Sequence, residues 1–177
     1  MQPSRLPDEA RPRIEERAAQ PYLAIRRQVR TGVPAAVDGQ FPALFAWLGE
    51  RLIEPSGPPF IRTLAVDPSG EPLELELGLP VASEVDGDGA VRAGFLPAGR
   101  YLTLVHVGPY RSADRPDLGD ARDALVRSAA EREIAYGRPS GRGRELACCV
   151  EHLRVGPEET GDHERWETEI AYLIVGE

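Results

Sequence analysis

Apolar residues recur along this chain with two different periods, and the switches between them outline its elements. A period of two marks a strand with one covered face; a period near 3.6 marks a helix. Leu73, Leu75, Leu77 and Leu79 alternate strictly, which predicts a half-buried strand over 73–81. Further strands are predicted over 22–30, 60–66, 91–96, 100–107 and 145–153, with a last one in the stretch 165–174. Phe41, Leu44, Phe45, Leu48 and Leu52 fall at helical spacing and predict a helix over 39–52. Leu118, Ala121, Leu125 and Ala129 do the same for 118–134. Proline and glycine punctuate these runs at 55–59, at Asp67-Pro68-Ser69-Gly70, at Pro97-Ala98-Gly99 and at Gly108-Pro109.

The resulting order is strand, helix, strand, strand, stated twice. Pro21-Tyr22-Leu23-Ala24-Ile25 is similar to Arg100-Tyr101-Leu102-Thr103-Leu104, an offset of 79 positions (22 to 101). Glu74-Leu75-Glu76-Leu77 is similar to Glu167-Thr168-Glu169-Ile170, an offset of 93 positions (76 to 169). Internal similarity of this kind predicts a tandem duplication. The expected fold is α+β: antiparallel sheets, two main helices, a pseudo-twofold axis and a central cleft between the halves. The pseudo-repeats cover about 21–85 and 90–177, as one ligand-binding domain over 21–177. Residues 1–20 mix proline with charges of both signs and are expected to form a flexible tail, at most with a short helix over 13–19.

Composition narrows the function classes. The 177 residues carry a net charge of −8, and all 21 basic residues are arginine. An acidic balance argues against direct nucleic-acid binding, which uses a basic face. No apolar run approaches the length of a membrane span. With no export signal, a reduced, cytoplasmic setting is expected for Cys148 and Cys149, which are adjacent and so alternate across a strand. The three histidines and two cysteines form no zinc pattern, and Asp86-Gly87-Asp88-Gly89 reads as a turn rather than a calcium loop. Neither a metal nor a cofactor is expected.

The last strand is the chemically informative one, because it sets Glu167 and Glu169 among aromatic and apolar residues. A covered carboxylate needs a partner, either one of the protein's arginines or a ligand. Alternation puts Trp166 and Tyr172 on the face opposite Glu169. Tyr101 and Tyr110 are then the first candidates for a wall beside Glu169. Trp47 on the first helix fits the core or the cleft equally well, and His106 fits a structural role better than a catalytic one. Glu76, the twin of Glu169, is expected to be a solvated surface residue.

Three motifs resemble the GyrI-like small-molecule-binding family, which also supplies the effector-binding domain of multidrug-sensing transcription activators. Leu96-Pro97-Ala98-Gly99-Arg100-Tyr101 resembles the family's entry into its central strand. His106-Val107-Gly108-Pro109-Tyr110 resembles its "hvGpY" turn, and Trp166-Glu167-Thr168-Glu169-Ile170 its terminal strand. In the first half, Arg27-Gln28-Val29-Arg30 stands where many members have a second such turn.

The resemblance implies a fused pair of strand-helix-strand-strand units that binds amphipathic, often cationic, aromatic compounds. It makes Glu169 the polar anchor and lines the walls with tyrosines and tryptophans, so Tyr110, Tyr101, Trp166 and Trp47 are candidate pocket residues, and His106 is a further candidate on this sequence's own pattern. It also implies an alternative, a cofactor-free hydrolase of strained cyclopropane-containing toxins that uses Glu169 and a phenol such as Tyr110 or Tyr101. A third reading is a protein-interaction module like the gyrase-inhibiting relatives. With no DNA-binding domain ahead of the sensor, a one-chain transcription factor is not expected.

Overall fold

The computed structural model describes residues 11–137 and 145–176. Eight strands form one antiparallel sheet: β1 (Arg13–Arg17), β2 (Gln20–Gln28), β3 (Phe60–Val66), β4 (Pro72–Pro80), β5 (Val91–Leu96), β6 (Gly99–Val107), β7 (Glu145–Val155) and β8 (Glu167–Leu173). Their spatial order is β1-β6-β8-β7-β3-β4-β2-β5. The helices are α1 (Val33–Val37), α2 (Gln40–Glu50) and α3 (Leu118–Glu131). The duplicated α+β architecture predicted from the periodicity is therefore present, with α1 as a short addition before α2. The loop read over 138–144 lies outside the described residues.

The pseudo-twofold passes between β3 and β7, where Phe60 faces His152 and Arg62 faces Val150. It relates β2 to β6, β3 to β7 and β4 to β8. The two remaining strands are exchanged between the halves. β1 precedes the first unit yet pairs with β6 of the second. β5 precedes the second unit yet pairs with β2 of the first.

This exchange corrects the reading of the N-terminus. Residues 13–17, expected in a flexible tail or a short helix, form an edge strand. Ile14 packs with the α3 side of the core, while Arg13, Glu15 and Arg17 share a face with Thr103 and Tyr101. The charged residues made the segment look like a tail, and only pairing with β6 gives them a structured role.

The two longer helices, α2 and α3, each cover one half of the same sheet face. Leu44 and Leu48 of α2 pack on Leu23, Ile25 and Leu79. Leu118, Leu125 and Ala129 of α3 pack on Leu102, Leu104 and Ile170. α3 starts at a reciprocal cap: Asp117 accepts from Gly119 N at 2.8 Å, and Asp120 accepts from Asp117 N at 2.8 Å.

The other sheet face carries no helix, yet Tyr22, Phe60, Tyr101, Cys148 and Val150 are buried there in one cluster. The sheet is curled into a half-barrel, so this face closes on itself. Gly78 lets the curl tighten. A Cβ on Gly78 would lie 2.2 Å from Phe60 Cζ, so the ring occupies the space a side chain would fill. Gly78→Ala is expected to destabilise the protein by about 3 kcal/mol. Urea denaturation measures this, with Gly161→Ala, which meets nothing within 4 Å, as a near-neutral control.

Candidate small-molecule site around Glu169

The helix-free face carries two carboxylates on pseudo-equivalent strands. Glu76 lies on β4 between Arg26 of β2 and Arg62 of β3. Glu169 lies on β8 between Val105 of β6 and His152 of β7. Both are buried, at 6% and 3% relative exposure. The burial of Glu76 corrects the expectation of a solvated surface residue. Both its neighbouring strands supply an arginine, which makes burial tolerable.

Around Glu76 the compensation is local. Tyr22 Oη donates to Glu76 Oε2 at 2.5 Å, and Arg62 Nη1 donates to Tyr22 Oη at 2.9 Å. Arg26 Nη2 stands 3.1 Å from Glu76 Oε1. Burial and the bond to Glu76 push the Tyr22 hydroxyl well above the usual phenol range. The Tyr22 ring leans over Gly94, where a Cβ would come within 2.6 Å of it.

Around Glu169 the cross-strand neighbours supply no permanent cation. Burial pushes the His152 imidazole down to about 4; Glu169 works the other way, and Arg17 and Arg154 add to the depression. The ring is therefore neutral near pH 7, and its 4.0 Å approach to Glu169 Oε1 is no ion pair there. The counter-charge comes from further off. Arg17, at the end of β1, approaches Glu169 Oε1 to 2.8 Å. Arg154, two residues beyond His152, donates through Nη2 to Oε2. Burial works to lower the Arg17 pKa, but its bonds to Glu169 and Glu15 outweigh that and raise it.

Glu169 lies in a groove of about 290 Å³ lined also by Glu15, Thr103, Val105, Glu167 and Arg154, with Arg11 and Arg13 beside them. Charged groups of both signs, rather than rings, thus surround the carboxylate. Beside these charges Tyr101 contributes a ring, which lies 5.5 Å beneath the Arg17 guanidinium. Its hydroxyl donates to Pro97 O at 2.7 Å.

The other residues singled out from the sequence stand elsewhere. Tyr110 packs against the α3 cluster and lies against Trp166, with ring centres 4.6 Å apart and planes tilted by 37°. His106 points to the helix-bearing face, with Nε2 3.0 Å from Pro109 O. Trp47 packs beside the α2 cluster, donates to Asp88 Oδ1 at 2.9 Å and lies under Arg51. The structure does not bring Tyr110, Trp166, His106 or Trp47 to Glu169, so the expected pairing of Glu169 with Tyr110 is corrected. The tight turn at Gly108, whose φ is +132°, aims the chain after β6 back over the helix side. Neither periodicity nor motif singles out Arg17 or Arg154. The charge alternation of 13–17 was a signal for Arg17, but it needed strand β1 to be recognised.

Both cysteines are buried free thiols, and burial pushes Cys149 up to about 12. They are protonated near neutral pH and are poor nucleophiles. Among the described residues, no group of three or more His, Cys, Asp or Glu side chains is placed to hold a metal ion. Among the same residues, no helix is long and apolar enough to cross a membrane.

Two fused strand-helix-strand-strand units, with a charged groove on their shared helix-free face, define a ligand-binding domain of the duplicated kind. The chain belongs to the GyrI-like small-molecule-binding domain family, whose model matches residues 10–171. No curated protein sequence matches it.

Among solved structures, the C-terminal domain of EcmrR superposes with a TM-score of 0.71 at 15% identity, over 94% of this chain and 98% of that one. EcmrR in its DNA complex gives 0.75 at 15% identity, over 93% of this chain; this chain spans 57% of that one. SAV2435 bound to tetraphenylphosphonium gives 0.58 at 10% identity, over 94% of each chain. A hydrolase from Listeria innocua gives 0.61 at 11% identity, over 96% of this chain and 94% of that one. At these identities the likeness is one of fold.

Tyr22→Phe removes a donor from Glu76 and an acceptor from Arg62, and is expected to cost about 1–3 kcal/mol in chemical denaturation. His152 holds its proton less tightly folded than at its ordinary value of 6.5, so the unfolded chain protonates first. Its contribution is complete above about 6.5 and is lost as pH falls toward about 4, a loss of about 3 kcal/mol. In denaturant midpoints measured from pH 7 to 4, His152→Gln should flatten this part of the profile. An unchanged slope would assign it to other groups.

Proposed function

We propose that the groove binds compact amphipathic cations carrying a planar or aromatic group, with Glu169 as the anchor. The observation that carries this reading is the pose of Arg17, a cation held between the Glu169 carboxylate and the face of Tyr101. Its electrostatics support the same reading. Glu169 is almost fully covered, whereas the side chains that neutralise it are partly open to solvent, Arg17 at 25% and Arg154 at 42% exposure. Those guanidiniums can exchange for a ligand cation without leaving the carboxylate bare. Val105 and Val107 give the groove an apolar strip, and its small volume suits a compact ligand.

SAV2435, of similar fold, is described bound to tetraphenylphosphonium, a lipophilic aromatic cation. The hydrolase alternative needs a phenol poised beside Glu169, and the Tyr101 hydroxyl is instead committed to Pro97 O.

Benzamidine, a compact planar aromatic cation, is a suitable probe. Saturating concentrations, about 100 times Kd, are expected to raise unfolding free energy by about 2.7 kcal/mol. In Glu169→Gln the stabilisation should fall at least tenfold in required concentration, about 1.4 kcal/mol. Thermal shift and calorimetric titration read both. Equal binding by wild type and Glu169→Gln would remove Glu169 as the anchor.

A further inference from the structure

Arg17 closes a five-residue edge strand that, among the described strands, is held by a single ladder to β6. Arg154 comes instead from an inner strand, β7, at the bulge between Leu153 and Val155 where its pairing with β8 shifts register. Of the two guanidiniums on Glu169, only that of Arg17 stands on an edge strand, and breaking that one ladder lets it leave together with its backbone. Arg17 also has a second carboxylate to keep, Glu15 at 2.6 Å, so departure from Glu169 does not strand its charge.

The first half shows a form of the site that is shut from within. There Leu96 takes the place of Arg17: Leu96 pairs with Gln20 as Arg17 pairs with Gly99, and the buried Leu96 joins the apolar cluster. Glu76 is satisfied by Tyr22, Arg26 and Arg62, all from strands inside the sheet. Of the two carboxylates, only Glu169 depends on an edge strand.

We propose that Arg17 is a built-in competitor for the Glu169 site. A ligand bearing a planar amidinium or guanidinium binds by taking Arg17's place over Tyr101, and in doing so frees the end of β1 from β6. This proposal rests on the reading of Glu169 as a cation anchor. The docked Arg17 lowers apparent affinity by the fraction of time that the site is free, and it biases the site toward planar delocalised cations that reproduce its pose.

Benzamidine titrated into wild type, Arg17→Met, Arg17→Ala and Glu169→Gln tests this by calorimetry, with thermal melts confirming that each variant is folded. Arg17→Met keeps an apolar stem against Tyr101 and removes the charge. Both Arg17 variants are expected to bind about tenfold or more tightly than wild type. Hydrogen exchange on the wild type needs no variant: amides of residues 13–17 should exchange faster when benzamidine saturates the protein.

Equal or weaker binding by Arg17→Met, or slower exchange in β1, overturns the proposal and makes Arg17 part of the binding site. If wild type binds and Glu169→Gln does not, that result overturns the competitor alone and leaves the anchor standing. If neither wild type nor Arg17→Met binds, or if binding survives in Glu169→Gln, both ideas fall.

Discussion

A carboxylate inside a β-sheet must be given a counter-charge or a set of hydrogen bonds, because its desolvation otherwise outweighs what the sheet gains by covering it. The duplicated fold meets this constraint twice, at Glu76 and Glu169, on strands with neighbours on both sides. Much of the polar architecture of the helix-free face answers it. Tyr22, Arg26 and Arg62 converge on one carboxylate, and Arg17 and Arg154 on the other.

The two answers differ because the strand neighbours differ. Cross-strand pairing puts Arg26 and Arg62 beside Glu76, so its charge is balanced where it stands. The same register puts Val105 and a neutral His152 beside Glu169, so balance has to be imported. The edge strands reinforce the difference. Gly94 faces Tyr22 and leaves room for its ring, whereas Glu15 faces Tyr101, whose hydroxyl turns to Pro97. One half of an ancestral symmetry is thereby sealed, while the other keeps a groove beside its acid.

Much of the fold was legible from periodicity. The leucine alternation around Leu75 and Leu77 marked β4, and the spacing of Leu118, Leu125 and Ala129 marked α3. The Tyr22 and Tyr101 segments disclosed the duplication, and they pair equivalently in the two halves. β1 was not legible, since a short edge strand with three charges on one face has the composition of a tail. Of the site, Glu169 was legible through its neighbours. Its partners were not, because Arg17 and Arg154 reach it through strand order and register rather than through nearness in sequence.

The sequence by itself determined the element types, their twofold repetition and the presence of acids on both terminal strands of the units, because side-chain periodicity is a local property. Tertiary structure decided which acids are buried and what meets them. It exchanged β1 and β5 between the halves, turned Tyr110 and Trp166 to the helix side, and brought Arg17 across Tyr101 to Glu169. These outcomes depend on sheet order and curl, which join residues more than 150 positions apart, as between Arg17 and Glu169, and a periodic pattern carries no record of such pairings.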